Sequence, residues 1–475
     1  MPAVVKKGEG MPRRRAALAA LYLAMFMNIL DVSAVNLALP AIREGLHASA
    51  TELEWVLVIY VLTFAAGLLP FGRFGDVIGR DRVFMWGVAG FSLSSLACGL
   101  APDIGSLVVS RAVQGVAAAM MVPQVLAIVR VIFPEEERGK AIGLFGTISA
   151  LGAVAGPLVG GVIVSADIAG LGWRPIFLVN IPVGIFSLYG AWRFVPKIRA
   201  TERVTADWAG TILFAMAITG FVFPLVEGRQ LGWPLWCFAL MALSAGLGGL
   251  FLKLQVCRSA NGLAQLLPTV LLSDRKFLYG LATVCAFFSG LAGVFFILAI
   301  FLQSGLGLSP LAAGIALAPH PVGVMIGSYL SARLGGRTTG QRVAIGIFIL
   351  FLGMVSVRLA TVGTLLTGVD FLLPLLTVGL GTGVAIAALF QSILARVSGP
   401  DAGAGSGVLQ AFQQIGIALG IALQGQIFFH VLGASSSPSA YLAAARAALL
   451  YPAGIFLLLT LTAVLVMKSQ TGRLT

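Results

Sequence analysis

The stretch "MNILDVSAVNLALP", residues 27–40, sets a carboxylate, Asp31, inside an apolar run. That run begins near Ala16, just after the basic cluster Arg13, Arg14 and Arg15, and lasts to Pro40. Its length fits a membrane-crossing helix, which needs about 20 apolar residues. At about 100° per residue, Asn28, Asp31, Val35 and Asn36 fall on one side, a polar face suited to lining a cavity. An Asp at the bilayer centre costs about 2.5–3.5 kcal/mol on insertion scales, so Asp31 is expected to face protein or water, not lipid. A carboxyl so placed is a candidate to take up and release protons. The alternative is a structural carboxylate permanently paired with a neighbouring helix.

The whole chain shares the character of this run. Of its 475 residues 59% are hydrophobic and 10% charged, whereas soluble domains have about 45–50% and about 25%. Fourteen apolar runs recur, at 16–40, 54–72, 83–101, 104–128, 140–164, 175–195, 208–226, 234–253, 276–302, 311–331, 343–360, 370–392, 405–429 and 446–467. They predict helices, since backbone polar groups in lipid must pair within their own segment. The basic N-terminus and the first run read as a retained span, too long for a cleaved signal.

The net charge of +13 does not point to nucleic acid, because no basic stripe alternates with aromatics. Of the 31 Lys and Arg residues, only Arg43, Arg174, Arg229 and Arg446 lie in loops on one side, and Arg111 and Arg358 fall within spans. The rest share the other side, which places both termini in the cytoplasm. The four cysteines form no CxxC pair, and the three histidines are far apart, so no metal site is expected. No phosphate-binding loop and no nucleophile–base pair stands out, which argues against an enzyme and against a bound cofactor.

The longest interior connections, roughly 196–207 and 254–275, divide the chain. The expectation is a six-helix bundle over 1–195, two inserted spans over 196–275, and a second six-helix bundle over 276–475. "GRFGDVIGRDR" (72–82) and "SYLSARLGGR" (328–337) echo each other, as in the internal repeats of secondary transporters.

Further residues are candidates for mechanism. Arg111 lies within the fourth run and can stabilise an anionic carboxylate or a polar substrate, or pair two helices. Glu227, near the end of the seventh run, reads as a proton or cation site, or as a solvated acid. Gly152, Gly156, Gly160 and Gly161, with Pro157, fit either a moving or a static helix contact. "GRFGDVIGRDR" reads as a turn between spans. Gly72 and Gly79 there permit tight packing, and Asp76 can cap a helix or pair with Arg80 or Arg138 to latch the cytoplasmic face closed; the alternative is a solvated loop. His320, between two prolines, can sense protons or contact substrate, or is simply hydrogen-bonded inside the bundle. Asn28, Asn36, Gln124, Gln410 and Gln414 are amides that can contact a polar substrate or simply link helices.

Together these motifs resemble the major facilitator superfamily, in particular its fourteen-spanner drug:proton antiporters. "LDVSAVNLALP" is similar to the family's first-span signature, "GRFGDVIGR" to its loop motif, and "RAVQGVAAAMMVP" to its fourth-span motif. "GAVAGPLVGG" (152–161) is similar to the antiporter motif, and "WRPIFLVNIPVG" (173–184) to the sixth-span entry of this branch. The resemblance implies an all-α membrane protein of two six-helix bundles plus two extra spans. It also implies a monomer in a bacterial inner membrane that exports amphipathic, cationic small molecules in exchange for protons.

In that reading Asp31 is the coupling carboxylate and Arg111 its helper. Gly72, Asp76, Gly79 and Arg80 form the latch, and the glycines from 152 to 161 form the hinge. Val77, Asp81, Ala332 and Gln413 depart from the pattern, which bears on latch strength and substrate type. Two other readings remain open: an exporter dedicated to one metabolite, antibiotic or toxin, and a non-transporting receptor or scaffold.

Overall fold

The computed structural model describes residues 11–198 and 207–471, apart from 264, 268, 334–337, 363–365, 398–401 and 436. Of residues 76, 135, 136, 138–140, 142, 143, 145–147, 150, 402–404 and 466–471, the backbone alone is described. The long helices run in order: α1 Met11–Leu46, α2 Ala50–Ile78, α3 Arg80–Gly99, α4 Ile104–Ile132 and α5 Glu135–Ala166. There follow α6 Pro175–Phe194, α7 Trp208–Glu227, α8 Leu235–Ala260, α9 Arg275–Ile300 and α10 Pro310–Arg333. The last are α11 Thr339–Ala360, α12 Leu372–Leu394, α13 Ala402–Leu432 and α14 Pro438–Leu465.

Among the described residues, twelve helices are long and apolar enough to cross a membrane. The other two long helices are α3, which opens with Arg80, Asp81 and Arg82, and α5, counted only over its shorter apolar stretch Leu151–Ala166.

Helix starts are written locally. Ser49 and Glu52 form a reciprocal capping box at α2, as do Asp103 and Ser106 at α4 and Thr338 and Gln341 at α11. Each satisfies backbone donors that the first turn leaves free. Asp274 caps α9 through the Lys276 and Phe277 N–H groups, and Arg396 at the end of α12 pairs with it at 3.2 Å. That carboxyl is held below the usual carboxylate range, first by the Lys276 N–H and then by Arg396 and the Phe277 N–H.

Helices α1–α6 pack mainly on one another, with α5 and α6 against α1 and both α2 and α3 against α4. Helices α9–α14 do likewise, with α12 between α10 and α11 and α13 against α9. The two sets meet chiefly where α2 packs on α13 and α5 on α10, with α1 also touching α9. The pair α7–α8 lies outside, touching both α2 and α13 through α7. Near the termini, Asp207 fastens this pair by accepting from Gln255 at 2.7 Å and pairing with Arg258 at 3.4 Å.

The segment 72–78, expected as a turn, is helix: α2 runs on to Ile78 and breaks only at Gly79. There φ is +116°, a conformation L side chains rarely adopt, and an added Cβ would lie 2.9 Å from the Ile198 carbonyl oxygen. Gly72 has no such role, since a Cβ there would meet nothing within 4 Å. Asp81, a departure from the loop motif, is buried and accepts from the Ile198 N–H at 3.1 Å, tying down the chain that leaves α6. The Asp76 and Arg138 side chains, expected to form the latch, lie outside the described residues.

Candidate functional site

Asp31 and Arg111 meet. Arg111 Nη1 donates to Asp31 Oδ2 at 2.6 Å, with side-chain exposures of 1% and 0%. Helix α1 brings the acid and α4 the base, 80 residues apart in the chain. Amides complete the shell: Gln114 Nε2 donates to Asp31 Oδ1 at 3.1 Å, and Asn180 Nδ2 to the same oxygen at 2.9 Å. Both amides also donate to Ser95 Oγ, at 2.7 and 3.2 Å. Arg111 Nη1 also donates to Gln114 Oε1 at 2.6 Å, and its Nε to the Val56 carbonyl at 3.2 Å. Its guanidinium lies 4.3 Å above the Tyr60 ring, whose hydroxyl accepts from Asn28 Nδ2 at 2.5 Å.

Asp31 thus accepts three hydrogen bonds from two other helices, α4 and α6, one of them from a cation. Gln114, Asn180, Ser95 and Tyr60 belong to the site although sequence reasoning did not single them out. Gln114 follows Arg111 by one helical turn and Asn180 sits inside the sixth-span motif, which were the available signals. Removing one partner of such a buried pair typically costs about 3–5 kcal/mol, because the other charge is stranded.

The remaining candidates do not gather here. Asn36 is half-buried and donates to the Val32 carbonyl of its own helix. Gln124 is buried between helices, donating to the Phe71 carbonyl at 2.8 Å. His320 lies on α10 with its ring 4.5 Å from that of Phe295 and its Nε2 buried without a hydrogen-bond partner. Gln410, Gln413 and Gln414 are half-buried on α13.

The α5 glycines divide between two contacts. Gly152, Gly156 and Gly160 face α1, where an added Cβ at Gly156 would lie 2.6 Å from Ser33 Cβ. Gly161 instead faces α10, where a Cβ would lie 2.9 Å from both the Leu311 Cα and the Pro310 carbonyl oxygen. A Cβ on Gly314 would run into the Pro157 carbonyl from the other side.

Two further bonds close this end. Leu311 N–H donates to Ser165 Oγ at 3.1 Å, and Gln303 Nε2 to the Leu37 carbonyl at 2.9 Å. Gln303 sits in a π-helical turn, Phe301–Gly305, that ends α9. All of these lie at the end opposite the termini.

Glu227 accepts from Trp55 Nε1 at 2.6 Å at that same end. Beside it is an acid that sequence reasoning passed over, Glu54, which pairs with Arg229 at 3.7 Å and is 1% exposed.

The model of the Major Facilitator Superfamily matches residues 21–421. The chain belongs to that superfamily. It is a multi-span membrane transporter, not an enzyme. Among its superfamily relatives, a probable actinorhodin transporter of Streptomyces coelicolor is 38% identical over 439 residues, 92% of this chain and 76% of that one. A multidrug resistance protein of Mycobacterium tuberculosis is 33% identical over 428 residues, 89% of this chain and 77% of that one. The fold also matches a crystal structure of a bacterial homolog to the human lysosomal transporter Spinster, in an inward-facing and unoccupied conformation. There the TM-score is 0.70 and the identity 18%, over 96% of this chain and 97% of that one.

Proposed function

We propose that this transporter is a proton-coupled antiporter that exports amphipathic small molecules, cationic ones included, by alternating access. The observation that carries the reading is the Asp31–Arg111 pair, fully buried and walled by Gln114 and Asn180. With Asp31 so coordinated, a proton and Arg111 are alternative partners for one carboxylate. Protonation releases the guanidinium, and with it the α1–α4 contact, while deprotonation restores both. A site that changes helix contacts when it gains a proton is the minimum that coupling requires.

In this reading α1–α6 and α9–α14 are the two moving bundles, over 1–195 and 276–475. All fourteen long helices span the membrane, and both termini are cytoplasmic in a bacterial inner membrane. The even count and the basic loops on the terminal side support that orientation. The Gln303–Leu37, Leu311–Ser165 and Gly161–Leu311 contacts then make this a state closed toward the outside.

A second reading, export of a single antibiotic, is favoured by the likeness to the actinorhodin transporter. Everted membrane vesicles with an imposed pH gradient separate the two. Accumulation of both ethidium and tetraphenylphosphonium supports the broad reading. Accumulation of only an aromatic polyketide quinone supports the narrow one, and gradient-independent flux of every probe refutes proton coupling.

A further inference from the structure

At the end opposite the termini, three charged side chains lie close together where α2, α7 and α13 converge. Glu54 on α2 is 1% exposed, and its Oε2 is buried without a hydrogen-bond partner. Its Oε1 is 3.7 Å from Arg229 Nη2, within ion-pair range but too long for a hydrogen bond. Arg229, in the α7–α8 connection, spends its nearer contacts elsewhere. It donates to Thr51 Oγ1 at 3.1 Å and lies 4.9 Å above the Phe429 ring of α13. Glu227 is the third member, and it already holds the Trp55 N–H.

Of the two carboxylates, Glu54 is buried deeper and has the poorer partners. A buried carboxylate needs both counter-charge and hydrogen bonds to remain ionised at small cost. One proton makes this cluster neutral. Other nearby charges do not change that balance. Arg43 lines the adjoining cavity but pairs with neither acid among the described residues, His430 on α13 is exposed, and Arg111, which reaches α2 at the Val56 carbonyl, is held by Asp31.

The cavity, about 360 Å³, is lined by Arg43, Arg229, Phe429 and Tyr441. Arg229 therefore stands between that space and Glu54. The packing is tight enough to act as a gate: a Cβ on Gly425 of α13 would lie 2.8 Å from the Glu54 carboxyl carbon. Glu54 is thus sealed by the α2–α13 contact, where the two sets of helices meet.

We propose that Glu54 is a second proton-binding residue, one that operates the gate at the end opposite the termini. It accepts a proton as α2 and α13 close over it and returns the proton to cavity water as they part, with Arg229 as the competing partner. The inserted pair α7–α8 thereby gains a task, since its connection supplies Arg229 and its first helix supplies Glu227. The inference rests on the alternating-access reading above. Its test is read without substrate or gradient, so the two fail separately.

Spin labels at Glu44→Cys and Ala434→Cys, both exposed on that end, in a background lacking the four native cysteines, report the opening as a distance. In the wild-type background, raising the pH from about 5 to about 8 should increase the open population about tenfold. Glu54→Gln, of nearly the same shape, should remain closed across that range. Arg229→Gln should move the midpoint upward by about one pH unit or more, because a nearby cation opposes protonation. A wild-type distance that ignores pH overturns the proposal. So does a response in Glu54→Gln with the wild-type midpoint, or a midpoint in Arg229→Gln that stays or falls. The Arg229 variant keeps the test decisive if Glu54→Gln does not fold.

Discussion

Replacing one glycine of α5 with alanine should have opposite consequences at two positions five residues apart. At Gly156 the new methyl would lie 2.6 Å from Ser33 Cβ of α1, well inside the roughly 3.5–4.0 Å of a favourable carbon contact. Both helices belong to the same bundle, so the clash persists in every state of the transport cycle. Overpacking of this kind costs about 1–3 kcal/mol, all of it as lost stability. At Gly161 the methyl would lie 2.9 Å from backbone atoms of Leu311 and Pro310 on α10. That clash is relieved when the two bundles part. A similar penalty there falls on the closed state alone, and about 1.4 kcal/mol shifts the closed-to-open ratio tenfold.

Two measurements on purified protein separate these outcomes. Thermal unfolding should show a lower midpoint for Gly156→Ala and one near wild type for Gly161→Ala. Maleimide labelling of Leu37→Cys, a position that is buried under Gln303, should speed up about tenfold in Gly161→Ala and change little in Gly156→Ala. Equal loss of thermal stability in both, with labelling unchanged, would refute the division of the motif into a fixed and a moving face.

Other perturbations test the surrounding structure. Arg111→Gln strands the Asp31 carboxylate and should destabilise the protein by about 3–5 kcal/mol, whereas Asp31→Asn with Arg111→Gln should recover much of that loss in denaturant unfolding. Asn180→Leu removes one donor to Asp31 and leaves a hydroxyl, Ser95, with one donor fewer; substrate-driven proton release should shift to higher pH in a stopped-flow pH-indicator assay, and an unshifted profile would contradict a coupling role. Asp274→Asn should lower the unfolding midpoint at pH 7. The folded-state carboxyl is depressed, so its contribution is complete above about pH 4 and lost as pH falls further, and the wild-type and variant midpoints should converge there.

The fold was legible because its signal is repetitive. Apolar runs of membrane length need no knowledge of partners, and each long helix described falls on one of them. Individual charges inside those runs stood out for the same reason, which is why Asp31 and Arg111 were both found. Periodicity did not show that they pair, because it gives the face a residue shares but not the helix that face meets; only the family resemblance linked Arg111 to Asp31. Asn180 and Gln114 were lost among many amides, any of which can link helices.

Glu54 opens the run 54–72, and sequence alone does not tell a solvated acid at the edge of a run from a buried one. Only the tertiary contact with Gly425 and Arg229 buries it. The segment 72–78 misled in the other direction. Its glycines and charges read as a turn, yet α2 continues through it, packed against α4 through the Gln124–Phe71 bond.

The central claim is that Asp31 alternates between Arg111 and a proton during transport. It is tested most directly by ethidium transport in everted vesicles carrying Asp31→Asn, beside a wild-type control that is active. The account predicts that the variant is present in the membrane at wild-type level but accumulates no ethidium against its gradient when a pH gradient is imposed. Full gradient-driven accumulation by Asp31→Asn would contradict it.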